Sequence, residues 1–456
     1  MVQSVHIAHE RLLKMKRFCR TLLVFLLAAS ILLTPALAST YDNSAQELKT
    51  LGMFNGTDTG FDLDRAPSRT EAAVMLVRLL GCEATAKSQY SERTISHPFT
   101  DVPEWAAPHI AWLYQNKLTN GMSATAYGAS DKCSAQMFCT LVLRALGYSD
   151  ASGGDFTYTD TLTFAENIGI YSSSLDADTF LRDHAAAISY QALATDLKDG
   201  STTLLNKLIS SGAVSQTSAK ALSDKITVYK AYLKAQKVCN DITAIDASLT
   251  GTMVLASTAI PAVNSTINTS GNIKVIVNDS NIKMEMLSDY TTTGVTQSVD
   301  MWIKDNYLYM KTGDQKIKTA LDSDDMLELL EQSASSTQAP ELPLYMLDSI
   351  SSTKTSAGTR YTLVPSDGYS NIDLSSYGLD ASMFSKIEIK NTAMEILIAN
   401  DGSLSSIKMN VVYNMTMDNS GTPSNITCNY DMTIKINATG SAVAITYPDF
   451  TGYVEG

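Results

Sequence analysis

Three times between residues 51 and 193 a short apolar helix pattern, a turn and a second helix pattern recur, and nothing else in this 456-residue chain restricts its fold as strongly. Residues 51–81 read LGMFNG, a loop, then SRTEAAVMLVRLLG; residues 97–147 read HPFTDVPEWAAPHIAWLYQNKLTNG, a loop, then SAQMFCTLVLRALG. A looser third copy runs from FTYTD at 156 through ENIGIY to FLRDHAAAISYQAL, ending near Leu193. Units of this size bury a core only by packing on their neighbours, which predicts one helical bundle made of three repeats.

Beyond Ala247 the period changes from that of a helix to two. IKVIV at 273–277, IKMEM at 282–286, VDMWI at 299–303, YLYM at 307–310, MEILI at 394–398, IKMNVVYNMTM at 407–417 and CNYDMTIKI at 428–436 each set apolar side chains on one face and polar ones on the other. Such alternation predicts strands with one buried face. Asp305-Asn306 and Asn400-Asp401-Gly402 read as hairpin turns. The fold class expected is α + β and multidomain: an N-terminal all-α bundle, then an antiparallel sheet curved into a half-barrel. DSDDMLELLEQ at 322–332 is a covering helix, and APELPLYML at 339–347 helps to close the apolar face. The domain boundaries expected are 1–38, 39–212 for the repeats, 213–246 for a connecting helix, and 247–456 for the sheet.

The chain opens with Lys14, Lys16, Arg17 and Arg20, an apolar run from Thr21 to Leu33, and Ala36-Leu37-Ala38. That order is a signal peptide cut before Ser39, with Met15 an alternative start to Met1; about 13 apolar residues are too few to cross a bilayer, which needs about 20. No transmembrane segment is expected after cleavage. The formal charge is -13, and residues 1–38 carry a net +4, so the rest carries -17. An acidic exported chain is not expected to bind nucleic acid through its overall field. An anionic polymer must instead be held by a few placed cations.

Chemistry is sparse. All five His lie before residue 185, so the sheet half has no His for a triad or a metal site. His97, His109 and His184 read as helix-end or surface residues. Five Cys outside the leader, at 82, 133, 139, 239 and 428, have neither CxxC spacing nor an even count. Asp62 and Asp64 lack the rest of a calcium loop. No catalytic residue, metal ligand or cofactor is expected, and the chain reads as non-enzymatic.

Two motif sets lead further. FTDVPEW with Trp105, the PHI that follows, the Asn-Gly of Asn55-Gly56 and Asn120-Gly121, and SRTEAA beginning at Ser68 occur in order. Over residues 42–200 this resembles the S-layer homology family, the wall-anchoring module of bacterial surface proteins. The resemblance implies three repeats in a pseudo-threefold bundle with a secondary cell-wall polymer, pyruvylated in the usual case, in the grooves between them. It implies a secreted protein at the cell wall or S-layer, on the extracellular face of the envelope. The polymer-binding residues it implies are Arg69, Arg182, Trp105, Asp101, Glu71, Asn55, Gly56 and Gly121. A guanidinium matches a ketal carboxylate with two parallel hydrogen bonds, and an indole stacks on a sugar face. The second copy carries Ala135-Gln136-Met137 where the first has Arg69-Thr70-Glu71, and the third has His184 in place of the Glu, so one or two grooves are complete. A purely structural S-layer or envelope scaffold is the alternative.

The sheet's apolar face is read two ways. It is an ordinary core, or it is a surface for a lipid or other apolar ligand, because Met recurs along the strands and adapts to variable shapes. Met284, Met286, Met301 and Met409 are the ligand candidates. The strand-rich layout and the closing AITYPDFTGYVE resemble the LolA and LppX type of lipoprotein carrier fold.

Overall fold

The computed structural model describes residues 41–56, 60–172, 175–239, 243–258, 261, 264–278, 281–321, 342–366, 384–419 and 422–455. The expected signal peptide and the expected covering helix at 322–332 lie outside the described residues. The chain is α + β. It divides into a helical unit, Ser39–Lys230 with Leu342–Asp348, and a unit built on the sheet.

The helical unit contains α1 (Asp42–Thr50), α2 (Arg69–Leu79), α3 (Glu83–Ser91), α4 (Ala107–Gln115), α5 (Ala135–Ala145), α6 (Thr161–Ile168), α7 (Arg182–Ala194) and α8 (Leu204–Ser210). Their shared core holds Phe54, Leu76, Leu79, Ile110, Leu113, Phe138, Leu143 and Tyr190. The second helix of each repeat opens differently. At α2, Ser68 Oγ accepts from Glu71 N–H and the Glu71 carboxylate accepts from Ser68 N–H at 2.8 Å, a complete capping box. At α5, Ser134 Oγ accepts from Met137 N–H, but Met137 cannot return the bond. At α7, where Leu181 offers no oxygen, His184 Nδ1 accepts from Leu181 N–H at 3.3 Å. A long helix, α9 (Gln216–Cys239), carries the chain onward.

Twelve strands form one open sheet: β1 (Ala244–Ala256), β2 (Ser265–Asn278), β3 (Asn281–Thr292), β4 (Val295–Lys304), β5 (Tyr307–Thr312), β6 (Gln315–Ala320), β7 (Leu347–Thr355), β8 (Gly358–Pro365), β9 (Phe384–Ala399), β10 (Leu404–Asn419), β11 (Thr422–Thr439) and β12 (Val454–Glu455). Their order is β12-β6-β5-β4-β3-β2-β1-β11-β10-β9-β8-β7. The strand pairs from β1 to β6 and from β8 to β11 are antiparallel, and short β12 runs parallel to β6. Asp305 and Asn306 both have positive φ, 51° and 61°, the two-residue turn that matches strand twist. Register places Met286, Met301 and Met310 side by side on β3, β4 and β5, and Met394, Met409 and Met432 side by side on β9, β10 and β11.

Two expectations need correction. Leu342–Leu347 of APELPLYML falls within the helical unit and not within the unit built on the sheet. His109 is not a surface residue: it lies in the first turn of α4, buried, with Nε2 3.2 Å from Glu83 Oε1. The reason is charge. Arg78, Lys87 and His109 all converge on the Glu83 carboxylate, which is held down to about 2 even though desolvation pushes the other way.

Candidate functional site

Arginines open α2 and α7, and each crosses to the loop of a different repeat in the same manner. Arg182 N–H donates to Arg65 O at 2.9 Å, its Nε donates to Phe61 O at 3.0 Å, and its guanidinium lies 5.4 Å from the Phe54 ring centre. Arg69 N–H donates to Asp131 O at 2.8 Å, its Nε donates to Tyr127 O at 3.1 Å, and its guanidinium lies 5.2 Å from the Tyr127 ring centre. The two carbonyls are four residues apart in both loops, 61 and 65 against 127 and 131. The third junction, between α5 and the start of repeat three, has no arginine; there the Gln136 amide donates to Tyr158 O.

The two arginines differ in what meets the far end of the guanidinium. Arg182 Nη1 lies 3.7 Å from Glu71 Oε1. Glu71 is also gripped by Arg65, with Nη1 donating to Oε2 at 2.9 Å and Nη2 to Oε1 at 2.6 Å. Burial would raise this carboxyl, but the Arg65 bonds outweigh it and hold Glu71 down to about 2. Arg65 Nε also lies 3.7 Å from Asp62 Oδ2, so two carboxylates face two guanidiniums at this junction, with Arg182 buried and Glu71 half-buried.

Arg69 meets a methionine instead. Its Nη1 approaches Met137 Sδ at 3.0 Å, the position that corresponds to Glu71 in the preceding junction. Among the described residues Arg69 forms no ion pair, and it is half-buried rather than enclosed. A guanidinium cannot lose its proton, so Arg69 keeps its charge here with no carboxylate at ion-pair distance among the described residues, although Asp101 and Asp131 border the same loop.

The remaining candidates of the N-terminal half build or border that junction. Asp101 accepts from the N–H groups of Tyr127, Gly128 and Ala129 at 2.7, 2.7 and 3.0 Å, which fixes the carbonyl that Arg69 uses. Those bonds, the Tyr127 one first, hold its carboxyl below the ordinary range. Gly121 has φ +70°, and a Cβ there would lie 2.3 Å from Phe99 Cε1. At Gly128 a Cβ would lie 2.6 Å from Asp131 Oδ2, 3.0 Å from Met122 Cγ and 3.2 Å from Arg69 Nε. Only glycine lets this loop sit against the arginine. Met122 is 60% exposed and Trp105 57%. Asn55 and Gly56 are exposed in the other loop, where a Cβ on Gly56 would meet Gly60 O at 2.5 Å. The structure therefore draws Arg69, Asp101 and Gly121 to one junction and Arg182 and Glu71 to the other. Met137, Tyr127 and Arg65 were not among the sequence candidates; a 66-residue offset, Ser68 to Ser134 and Glu71 to Met137, is the signal that finds them.

In the sheet unit, Met284, Met286, Met301 and Met409 are buried, with Met301 only 1% exposed. Met284, Met286 and Met301 share one cluster with Ile245, Val275, Val299 and Ile303. On the same face, Leu249, Met253 and Ile267 on β1 and β2 stay half-exposed. Among the described residues no group of three or more His, Cys, Asp or Glu is placed to hold a metal, and no helix is long and apolar enough to cross a membrane.

No known family profile matches the chain. A protein named cell surface protein from Thermoanaerobacter kivui is similar over 133 residues at 29% identity, 28% of this chain and 16% of that protein. The chain thus spans only a small part of that relative. Among solved structures, LprF from Mycobacterium bovis is matched over 48% of this chain and 98% of that one, at 10% identity and a TM-score of 0.24.

Proposed function

We propose that this is a secreted cell-surface protein, anchored without a covalent bond to an anionic wall polysaccharide through its helical unit, and that it is not an enzyme. One observation carries the reading: Arg69 keeps the geometry of a neutralised junction arginine but faces Met137 where Arg182 faces Glu71. An acid supplied from outside, such as the carboxylate of a ketal-bearing sugar, completes the charge pairing. The exposed Trp105 offers an aromatic face to a sugar, and the resemblance to the S-layer homology family and the name of the partial relative point the same way. In this reading Arg182 and Glu71 hold the bundle together, and Arg69 binds.

The test is sedimentation of the full chain with purified cell walls, before and after the non-peptidoglycan polymer is stripped. Binding should need the polymer and should fall in Arg69→Ala while the helical circular dichroism stays. A folded Arg69→Ala variant that pellets like the parent returns the helical unit to a scaffold role.

The sheet unit is then the displayed part. The burial of its four candidate methionines favours a packed core. A second reading, an apolar ligand, attaches to the half-exposed strip of Leu249, Met253 and Ile267 instead. Saturable binding of a fluorescent fatty acid that is lost on Met253→Asp supports it, and absence of binding by the folded parent rejects it.

A further inference from the structure

The helical unit is not built from the N-terminal half alone. Leu342–Asp348, which follow the sixth strand in sequence, lie within it. Leu342, Leu344, Tyr345, Met346 and Leu347 are all buried, Leu344 completely. Pro343 precedes one turn of 3-10 helix, Leu344–Met346, that leads into β7. The segment is held by polar contacts as well as by burial. Leu344 N–H donates to Gln191 Oε1 on α7 at 2.7 Å, and Gln191 Nε2 reaches Tyr229 Oη on α9 at 3.4 Å. Lys225 Nζ on α9 donates to Leu347 O at 2.8 Å and to Tyr190 Oη at 3.1 Å, and lies 3.7 Å from Glu47 Oε1 on α1. Tyr345 packs edge-on against Tyr41 at 5.2 Å, and Tyr41 packs edge-on against His184 at 6.2 Å.

We infer that Leu342–Asp348 is a peptide strap that occupies a groove between α1, α7 and α9, and that the helical unit needs it to keep the opening of α7 in place. His184 is two residues beyond Arg182, so the contacts Tyr345 to Tyr41 to His184 reach the first turn that sets the Arg182 junction. The groove fits an apolar peptide that makes a single 3-10 turn with a free amide at the Leu344 position, because the buried Gln191 Oε1 accepts from that N–H, and losing it leaves a buried carbonyl unsatisfied. The hold of the wall anchor then depends on a segment that the sheet-bearing half of the chain delivers. That last link rests on the proposed wall binding; the strap itself does not.

The test uses the full chain with Leu344→Asp, and Leu344→Ala as the milder variant. Amide hydrogen exchange in α1 and α7 should quicken by about tenfold or more, as expected when a buried segment leaves its groove. Exchange in β2 to β4 should not change. The synthetic peptide LPLYMLD should restore the lost protection in trans, and a scrambled peptide should not. Unchanged protection of α1 and α7 in both variants, or a loss in Leu344→Ala that the peptide does not reverse, overturns the strap. Wall sedimentation of the same samples separates the two ideas: protection lost with binding intact keeps the strap and removes its link to anchoring.

Discussion

Met137→Glu should convert the open junction into a closed one. The substitution places a carboxylate where Met137 Sδ now lies 3.0 Å from Arg69 Nη1, copying the Glu71 and Arg182 arrangement. It also supplies the acid that would complete the capping box with Ser134. Folding should therefore be unharmed or improved, by about 0.5–1 kcal/mol for a half-exposed pair after solvent screening. Binding should suffer, because the guanidinium is already engaged and a second acid beside it repels the polymer. A charge-assisted hydrogen bond contributes about 1.5–3 kcal/mol, which corresponds to a loss of about 10- to 100-fold in affinity. The assay is wall sedimentation with a dilution series at fixed ionic strength, beside a thermal melt followed by helical circular dichroism. Met137→Gln controls for shape without charge and should bind within a few fold of the parent. If Met137→Glu is as stable as the parent and binds equally well, Arg69 does not face the polymer and the reasoning fails.

Asp183 is buried on α7 and desolvation pushes its carboxyl up to about 6, so it favours the folded state most when protonated. Its contribution is present below about pH 4 and is lost as pH rises to about 6; the melting-temperature advantage of Asp183→Asn over the parent should therefore grow across that window, and a constant difference refutes it. Glu71 has the opposite sign: held at about 2 against an ordinary 4.5, it stabilises above about pH 4.5 and that stability is lost on acidification toward pH 2, a loss that Glu71→Gln should remove from the acid melt. Gly121→Ala should cost about 1–3 kcal/mol from the positive φ alone and more from the Phe99 contact, seen as a lower denaturation midpoint with reduced wall binding. Met301→Ala should cost about 2–5 kcal/mol in the sheet unit if the methionine face is a packed core, and much less if the face opens onto a ligand space.

Much of the fold was legible because its periods stand out. The strands at 273–277, 282–286, 299–310, 394–398, 407–417 and 428–436 carry enough alternation to be read, although apolar runs such as Val275-Ile276-Val277 interrupt it, and the α2 and α5 openings carry Ser caps. β7 was not legible: Leu347 and Ile350 are three apart and five of the next residues are polar, so no period of two exists to read. β1 hides behind SLTGT, where Gly251 interrupts the alternation; a Cβ there would lie 2.8 Å from Thr269 Oγ1, so the strand needs the residue that obscures it. The strap was misread for a physical reason: LPLYML is as apolar as any core-closing segment, and sequence does not say which core it closes. At the two junctions, the motif names both arginines but not their difference, since the pairing of Arg182 with Glu71 and the contact of Arg69 with Met137 involve Arg65 and Met137, neither of which is part of the motif.

In the proposed binding, Arg69 acts within a chain whose residues 39–456 carry a formal -17. The overall field repels an anionic polymer, so approach is slower than for a basic wall binder and selection falls on the short-range pairing at Arg69. Added salt acts in two directions: it screens the repulsion of the acidic surface, and it weakens an exposed ion pair. With a single cation the second effect is small, so the two nearly cancel, whereas a binder that works through many cations loses affinity steeply. Affinity at one such site is modest, and avidity needs two sites engaged at once, which one arginine does not offer. Retention per acidic unit on intact wall should therefore match the affinity for a single isolated repeat unit within a few fold. Retention on wall about 100-fold or more above that of single units would instead mean that several groups of the chain engage the polymer together, and Arg69 would be one contact among many rather than the point that decides.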